Sequence, residues 1–180
     1  MKNILLRLVL PVAFCAVFIA APVAAQTQTN KSNTVCSPIK FKSLNKYRDE
    51  RWSKVFSDAQ ISPALKTLLK SDYQKLKSSL EQVNYPDSLS FVGGDGILAL
   101  EGGVQGLYTI MEAKLIIEPC GNVYSAVLDE GKRILYFTND RKYAAKLPPA
   151  IEAWRTDLEK RRAQGESGKN AELPIVYKSK

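Results

Sequence analysis

No histidine occurs anywhere in the 180 residues. That excludes Ser-His-Asp and Cys-His catalysis and every histidine metal site together. Cysteine is scarce, with three residues at Cys15, Cys36 and Cys120. Cys15 lies in the apolar N-terminal stretch, and Phe14 stands before it where a lipid-anchor signal needs a small residue. The glycine-rich stretch from Phe91 to Gly106 lacks the Gly-Lys-Ser/Thr ending of a P-loop and the spacing of a dinucleotide fingerprint. It reads instead as tight turns joining short antiparallel strands. Asp95 and Glu101 in that stretch have no further metal ligands at a useful spacing. No cofactor and no metal are therefore expected. The chemistry left open is carboxylate chemistry, with Glu112 and Glu118 at even spacing on one strand as the pair a hydrolase would use.

What is present begins with an export signal. Lys2 and Arg7 form a basic start, Leu8 to Ala20 an apolar run, and Val23-Ala24-Ala25 a small-residue cleavage site. Pro11, Pro22 and the shortness of the run argue against a stable transmembrane helix. The expected division is a leader over residues 1–25, cleaved near Ala25, a polar flexible arm over 26–40, and a single domain over 41–180. The expected compartment is the periplasm. Of 26 basic residues two fall in the leader, so a processed chain keeps 24 against 18 acidic ones, a formal charge of about +6. That balance favours anionic surfaces or acidic partners. The charge is spread along the chain, and export makes nucleic acid an improbable partner.

The domain is organised around Gly106 to Asn139, a run dense in β-branched and aromatic residues that reads as three consecutive strands. Glu118-Pro119-Cys120-Gly121-Asn122 makes the first turn. Asp129-Glu130-Gly131 makes the second, with Gly131 at a left-handed position. Val123, Ser125 and Val127 fall on one face, Tyr124, Ala126 and Leu128 on the other. Ahead of this run, the spacing of Phe41, Leu44, Trp52 and Val55 predicts one helix over 41–56. Ser62-Pro63 predicts the capped start of a second, continuous to Val83 and stopped by Tyr85-Pro86-Asp87. Glu101-Gly102-Gly103 reads as a turn. After the run, Pro148-Pro149 precedes a helix over 150–163 with Ile151, Trp154 and Leu158 on one stripe, and Leu173 to Tyr177 offers a final edge strand. The fold class is α+β: an antiparallel sheet flanked by N-terminal helices and a C-terminal helix.

An even cysteine count after processing predicts a Cys36–Cys120 disulfide pinning the arm to the first turn, with two separate thiols as the alternative. This order of elements, with Cys120-Gly121 at the turn entering a β-hairpin, resembles the Ivy family of periplasmic lysozyme inhibitors, over roughly Ser62 to Leu158. Those are small exported α+β proteins. They inhibit by inserting a rigid loop, bracketed by a disulfide and carrying a histidine, into the lysozyme cleft. Leu115 stands here where that family's first cysteine would be, and Glu118 where the histidine would be.

The residues expected to meet a partner are accordingly Glu118, Pro119, Gly121 and Asn122, on a turn held by a rigid scaffold. The function they imply is an exported, non-catalytic binding protein, an inhibitor or immunity-type partner of a cell-wall-active enzyme. A peptidoglycan-degrading enzyme is one such partner. A basic chain meets a cationic lysozyme against its charge, so an acidic enzyme suits better. One alternative is a cell-envelope structural or assembly factor binding peptidoglycan or anionic lipid. The other is a carboxylate hydrolase. The membrane enters this reading only through the cleaved leader.

Overall fold

Residues 123–138 alternate so strictly that two faces had to be covered, and helices cover both. A computed structural model describes residues 40–41, 44–47, 52–81, 89–90, 96–165 and 172–178. The leader, the arm with Cys36, Asp95, the Tyr85-Pro86-Asp87 stop and the loop over 166–170 lie outside the described residues. All described residues belong to one compact unit, Thr34–Lys180.

Six strands form one sheet in chain order: β1 Leu89–Ser90, β2 Leu98–Gly103, β3 Glu112–Ile117, β4 Val123–Asp129, β5 Arg133–Thr138 and β6 Ile175–Tyr177. Every neighbouring pair is antiparallel except β5 and β6, which run parallel. The expected edge strand is thus present, reached through α4 Pro149–Gly165. A parallel pair needs such a crossover, because a tight turn cannot reverse the chain twice.

Three helices, α1 Trp52–Ser57, α2 Ile61–Leu69 and α3 Tyr73–Glu81, lie on one face. Their Leu65, Leu69, Leu76 and Leu80 bury against Leu98, Leu115, Val123, Val127 and Phe137. α4 covers the other face, packing Ile151, Trp154 and Leu158 on Ile116, Tyr124, Ala126 and Tyr136. Each such side chain contributes on the order of 1.5–3 kcal/mol when fully buried. The two-residue period places Val123 and Val127 under the first layer and Tyr124, Ala126 and Leu128 under the second, as the alternation predicts. The α+β class and the flanking helices are as read from the sequence.

Local boundaries differ in four places. In place of one helix over 41–56, the described residues show a single 3-10 turn, Leu44–Tyr47, and then α1. Three residues per turn put both Leu44 and Tyr47 into the core. The helix expected over 62–83 is broken by a 3-10 turn, Lys70–Asp72, with Lys70 at φ 53°. A straight helix of that length would measure about 30 Å. Strands of six or seven residues reach only about 20–23 Å, so the break keeps both halves on the sheet. The first amides of α2 are met by Asp58, ahead of the N-cap Gln60, rather than by Ser62. Asp58 Oδ1 accepts the Gln60 and Ile61 amides at 2.8 and 3.0 Å, while Ser62 Oγ lies 3.2 Å from the Tyr73 hydroxyl. Partial burial pushes the Asp58 carboxyl up. The Lys46 ammonium, the Tyr47 hydroxyl and those amides outweigh it and hold the group well below the usual carboxylate range.

Finally, Glu101-Gly102-Gly103 is strand, not turn, and the chain reverses through residues 104–111, so the first strand of the central run starts at Glu112 rather than near Gly106. Gly103 is required there: a Cβ on it would come within 2.8 Å of Glu112 Cγ. The strand pairs Gly103 with Glu112 across the register, so that space is already filled.

Candidate functional site

The turn between β3 and β4, the five residues Glu118–Asn122, is built by its own sequence. Pro119 presets φ for the first corner, and Gly121 at φ 91° takes the left-handed position that closes the turn. The Gly121 amide donates to the Glu118 carbonyl at 2.9 Å, and the Glu118 amide donates to the Asn122 carbonyl at 2.9 Å. Asn122 Nδ2 donates to Glu118 Oε2 at 3.0 Å, and Cys120 Sγ lies 3.5 Å from the same oxygen.

Two outside contacts clamp this loop. Asn139, at the end of β5, accepts the Val123 amide on Oδ1 at 2.8 Å and donates Nδ2 to the Gly121 carbonyl at 2.9 Å. From the other side the Phe41 amide donates to the Pro119 carbonyl at 3.2 Å. Phe41 is five residues beyond Cys36, a span of at most about 18 Å, and Cys36 itself lies outside the described residues.

Of the four residues expected to meet a partner, Pro119 is exposed and Glu118 half-buried, whereas Gly121 and Asn122 are buried. Asn122, only 1% exposed, braces Glu118. A partner approaching the turn meets Pro119 first, then the Glu118 carboxylate and the half-buried Cys120.

Beside the turn lies a cleft of about 520 Å³, within the range that ligand or peptide sites occupy. One wall is the outer face of α2, Pro63, Ala64, Thr67 and Leu68, joined by Gln60 ahead of the helix. The opposite wall is Gly121, Val123 and the chain from Thr138 to Arg141, with Ala144. The apolar lining comes from α2 and Val123, and the exposed polar groups are Gln60, Thr67, Asn139 and Arg141.

Asp140 is the fixed anion of the cleft. It is 5% exposed, accepts the Tyr124 hydroxyl at 2.9 Å and caps the 3-10 turn Arg141–Tyr143 through the Lys142 amide at 2.9 Å. Burial first, and then the Asp140 acceptor, push the Tyr124 hydroxyl well above its ordinary value, so it stays a donor. Asp140 is the single carboxylate among the residues lining the cleft, and both its oxygens already accept hydrogen bonds.

The other chemical candidates from the sequence fall elsewhere. Glu112 and Glu118 sit at opposite ends of β3, about 20 Å apart by strand rise. That is beyond the separation at which two carboxylates act on one bond. Both oxygens of Glu112 are held by Arg161 at 2.7 Å. Glu101 pairs with Lys114 at 2.7 Å.

Sequence reasoning missed Asn139, Asp140 and Arg141. Asn-Asp directly after a strand, with an amide two residues on, is the signature of a side-chain-capped turn and would have marked the place. The clamp on the neighbouring turn carries no such signature. No family model matches the chain, and neither the curated proteins nor the solved structures hold a match to it.

Proposed function

We propose that the chain is an exported, non-catalytic binding protein that offers the Glu118–Asn122 turn and the adjoining cleft to a protein partner in the cell envelope. The inhibitor or immunity type of partner, a cell-wall-active enzyme, follows from the Ivy resemblance and the turn's place at a sheet end. The observation that carries the reading is the double clamp on the turn, by the Asn139 side chain and the Phe41 backbone. A loop already ordered loses little entropy on binding, so its few contacts convert to affinity. The Cys36–Cys120 disulfide belongs to the same proposal, since it would add a covalent third clamp.

The test is capture of envelope proteins by the immobilised processed chain, together with muramidase inhibition assays. Pro119→Asp and Arg141→Glu change exposed side chains, one on the turn and one in the cleft. Capture of one partner in stoichiometric amount, abolished by the pair of substitutions with the melting temperature unchanged, is the expected result. Capture unaffected by both would remove the turn and cleft from the function.

A second reading, a factor that holds to peptidoglycan or anionic lipid, is favoured by the formal charge of about +6 on the processed chain. Salt-sensitive sedimentation with purified peptidoglycan would select it.

A further inference from the structure

The end of the sheet opposite the clamped turn carries the most exposed apolar surface among the described residues. Four large apolar side chains there and elsewhere are more than a third exposed. Three of them, Leu107, Tyr108 and Ile110 at 39–43%, lie within four positions on the loop from Val104 to Met111.

The loop is held firmly. Val104 and Met111 close it through a 3.0 Å backbone bond, and the Ile110 and Met111 amides both donate to the Leu107 carbonyl. Thr109 is kept at φ 69°, a region a β-branched residue rarely adopts. It is fixed there by Glu112, which accepts its amide at 2.6 Å, and by Arg162, which donates to its carbonyl at 3.0 Å. Gly131 in the β4–β5 turn donates to the Ile110 carbonyl at 2.9 Å, which brings Lys132 alongside. A scaffold that imposes strain in order to hold three apolar side chains in water is better suited to a task than to stability.

We propose that this loop seats the protein on an anionic lipid bilayer, with Leu107, Tyr108 and Ile110 entering the headgroup–acyl boundary and Lys132 meeting a lipid phosphate. The proposal locates the anionic-lipid reading above and rests on it. Three considerations select this occupant. The tip projects, since nothing lies within 4 Å of a Cβ built on Gly106. A tip of three side chains offers far less than the roughly 800 Å² per partner of a stable protein interface. A second copy of the processed chain would bring like charge to like, at about +6 each.

An exposed lysine beside an apolar and aromatic tip matches an interface where the hydrocarbon begins beneath anionic headgroups. The opposing carboxylate is Glu130, paired with Lys132 at 2.9 Å. Both side chains are about three-quarters exposed, so that pair is worth little and yields to a phosphate. Docked by this end, the sheet would point the cleft and the clamped turn away from the membrane.

Flotation of the exported protein with phosphatidylcholine vesicles, with and without phosphatidylglycerol, tests this. Binding is expected only with phosphatidylglycerol, weakening with salt. Leu107→Ser with Ile110→Ser should lower it on the order of tenfold per side chain, and Lys132→Gln roughly fivefold. Tyr177→Ser, which alters an equally exposed side chain on the sheet edge, should leave it unchanged. All variants should melt like the parent. Full vesicle binding by the loop variants would overturn the loop while leaving the lipid reading intact. Absence of binding by the parent would overturn both. A concentration-dependent dimer that the loop variants lose, without vesicle binding, would assign the tip to a second copy instead.

Discussion

Removing Arg161 should unlatch the 104–111 loop from the body of the domain and cost a measurable part of its stability. The guanidinium holds Glu112 by two parallel bonds of 2.7 Å, Nη1 to Oε1 and Nη2 to Oε2, and reaches Asp157 with Nε at 2.9 Å. The Glu112 contact dominates, against some desolvation, and raises the arginine above its ordinary value. Glu112 has a side chain 5% exposed, while Arg161 is 34% exposed. Deleting one member of a fully buried pair costs about 3–5 kcal/mol, because the other is left charged and dry. In Arg161→Ala water can enter from the arginine side, and the Thr109 amide still donates to Glu112. The expected loss is therefore about 2–3 kcal/mol, or about 5–10 °C in melting temperature for a domain of this size.

Urea unfolding at neutral pH measures it, with the midpoint falling and the slope unchanged. Glu112→Ala and the double variant complete a cycle, in which the two losses should be strongly non-additive. Hydrogen exchange should localise the damage to the Thr109 and Gly131 amides. A loss below about 0.5 kcal/mol, the level of an exposed ion pair, would refute the view that this clasp holds the loop.

Asn139→Ala removes both side-chain bonds to the β3–β4 turn. It should cost about 1–2 kcal/mol and speed exchange of the Val123 amide, and normal protection at Val123 would show that the turn holds itself. The Lys75 ammonium, against partial burial and with help from Arg133, depresses the Asp129 carboxyl. A depressed folded value contributes stability that is complete above the ordinary pKa of about 4 and is lost as pH falls through the folded value. The advantage of the parent over Asp129→Asn should therefore shrink as the pH is taken below about 4, and a constant difference in melting temperature would contradict this. Thiol titration of unfolded exported protein should find neither Cys36 nor Cys120 reactive, with reduction lowering the melting temperature. Two titratable thiols would remove the disulfide from the account.

The β4–β5 hairpin and its two faces were legible in the chain itself. Residues 123–138 alternate every second position, and a period of two leaves one arrangement in which all the apolar side chains are covered. Turns at Pro119-Cys120-Gly121 and Glu130-Gly131 were equally local, because a positive φ or a fixed one belongs to the residue that adopts it. The α4 stripe needed only its own spacing.

What the sequence by itself did not determine depends on who meets whom. The break at Lys70 answers to the height of the sheet, which no helix window contains. Gly102 and Gly103 look like a turn in isolation and are strand because Glu112 lies across from them. Asn122 looks like a polar contact residue and is buried, since Glu118 four positions earlier takes its amide. The cleft joins α2 to the end of β5, and the Arg161 clasp spans 49 residues. Such pairings arise when the strands align and the helices settle on them. Periodicity and turn chemistry act over a few residues, so they determine elements and faces, while the site is made of distances that only the assembled sheet sets.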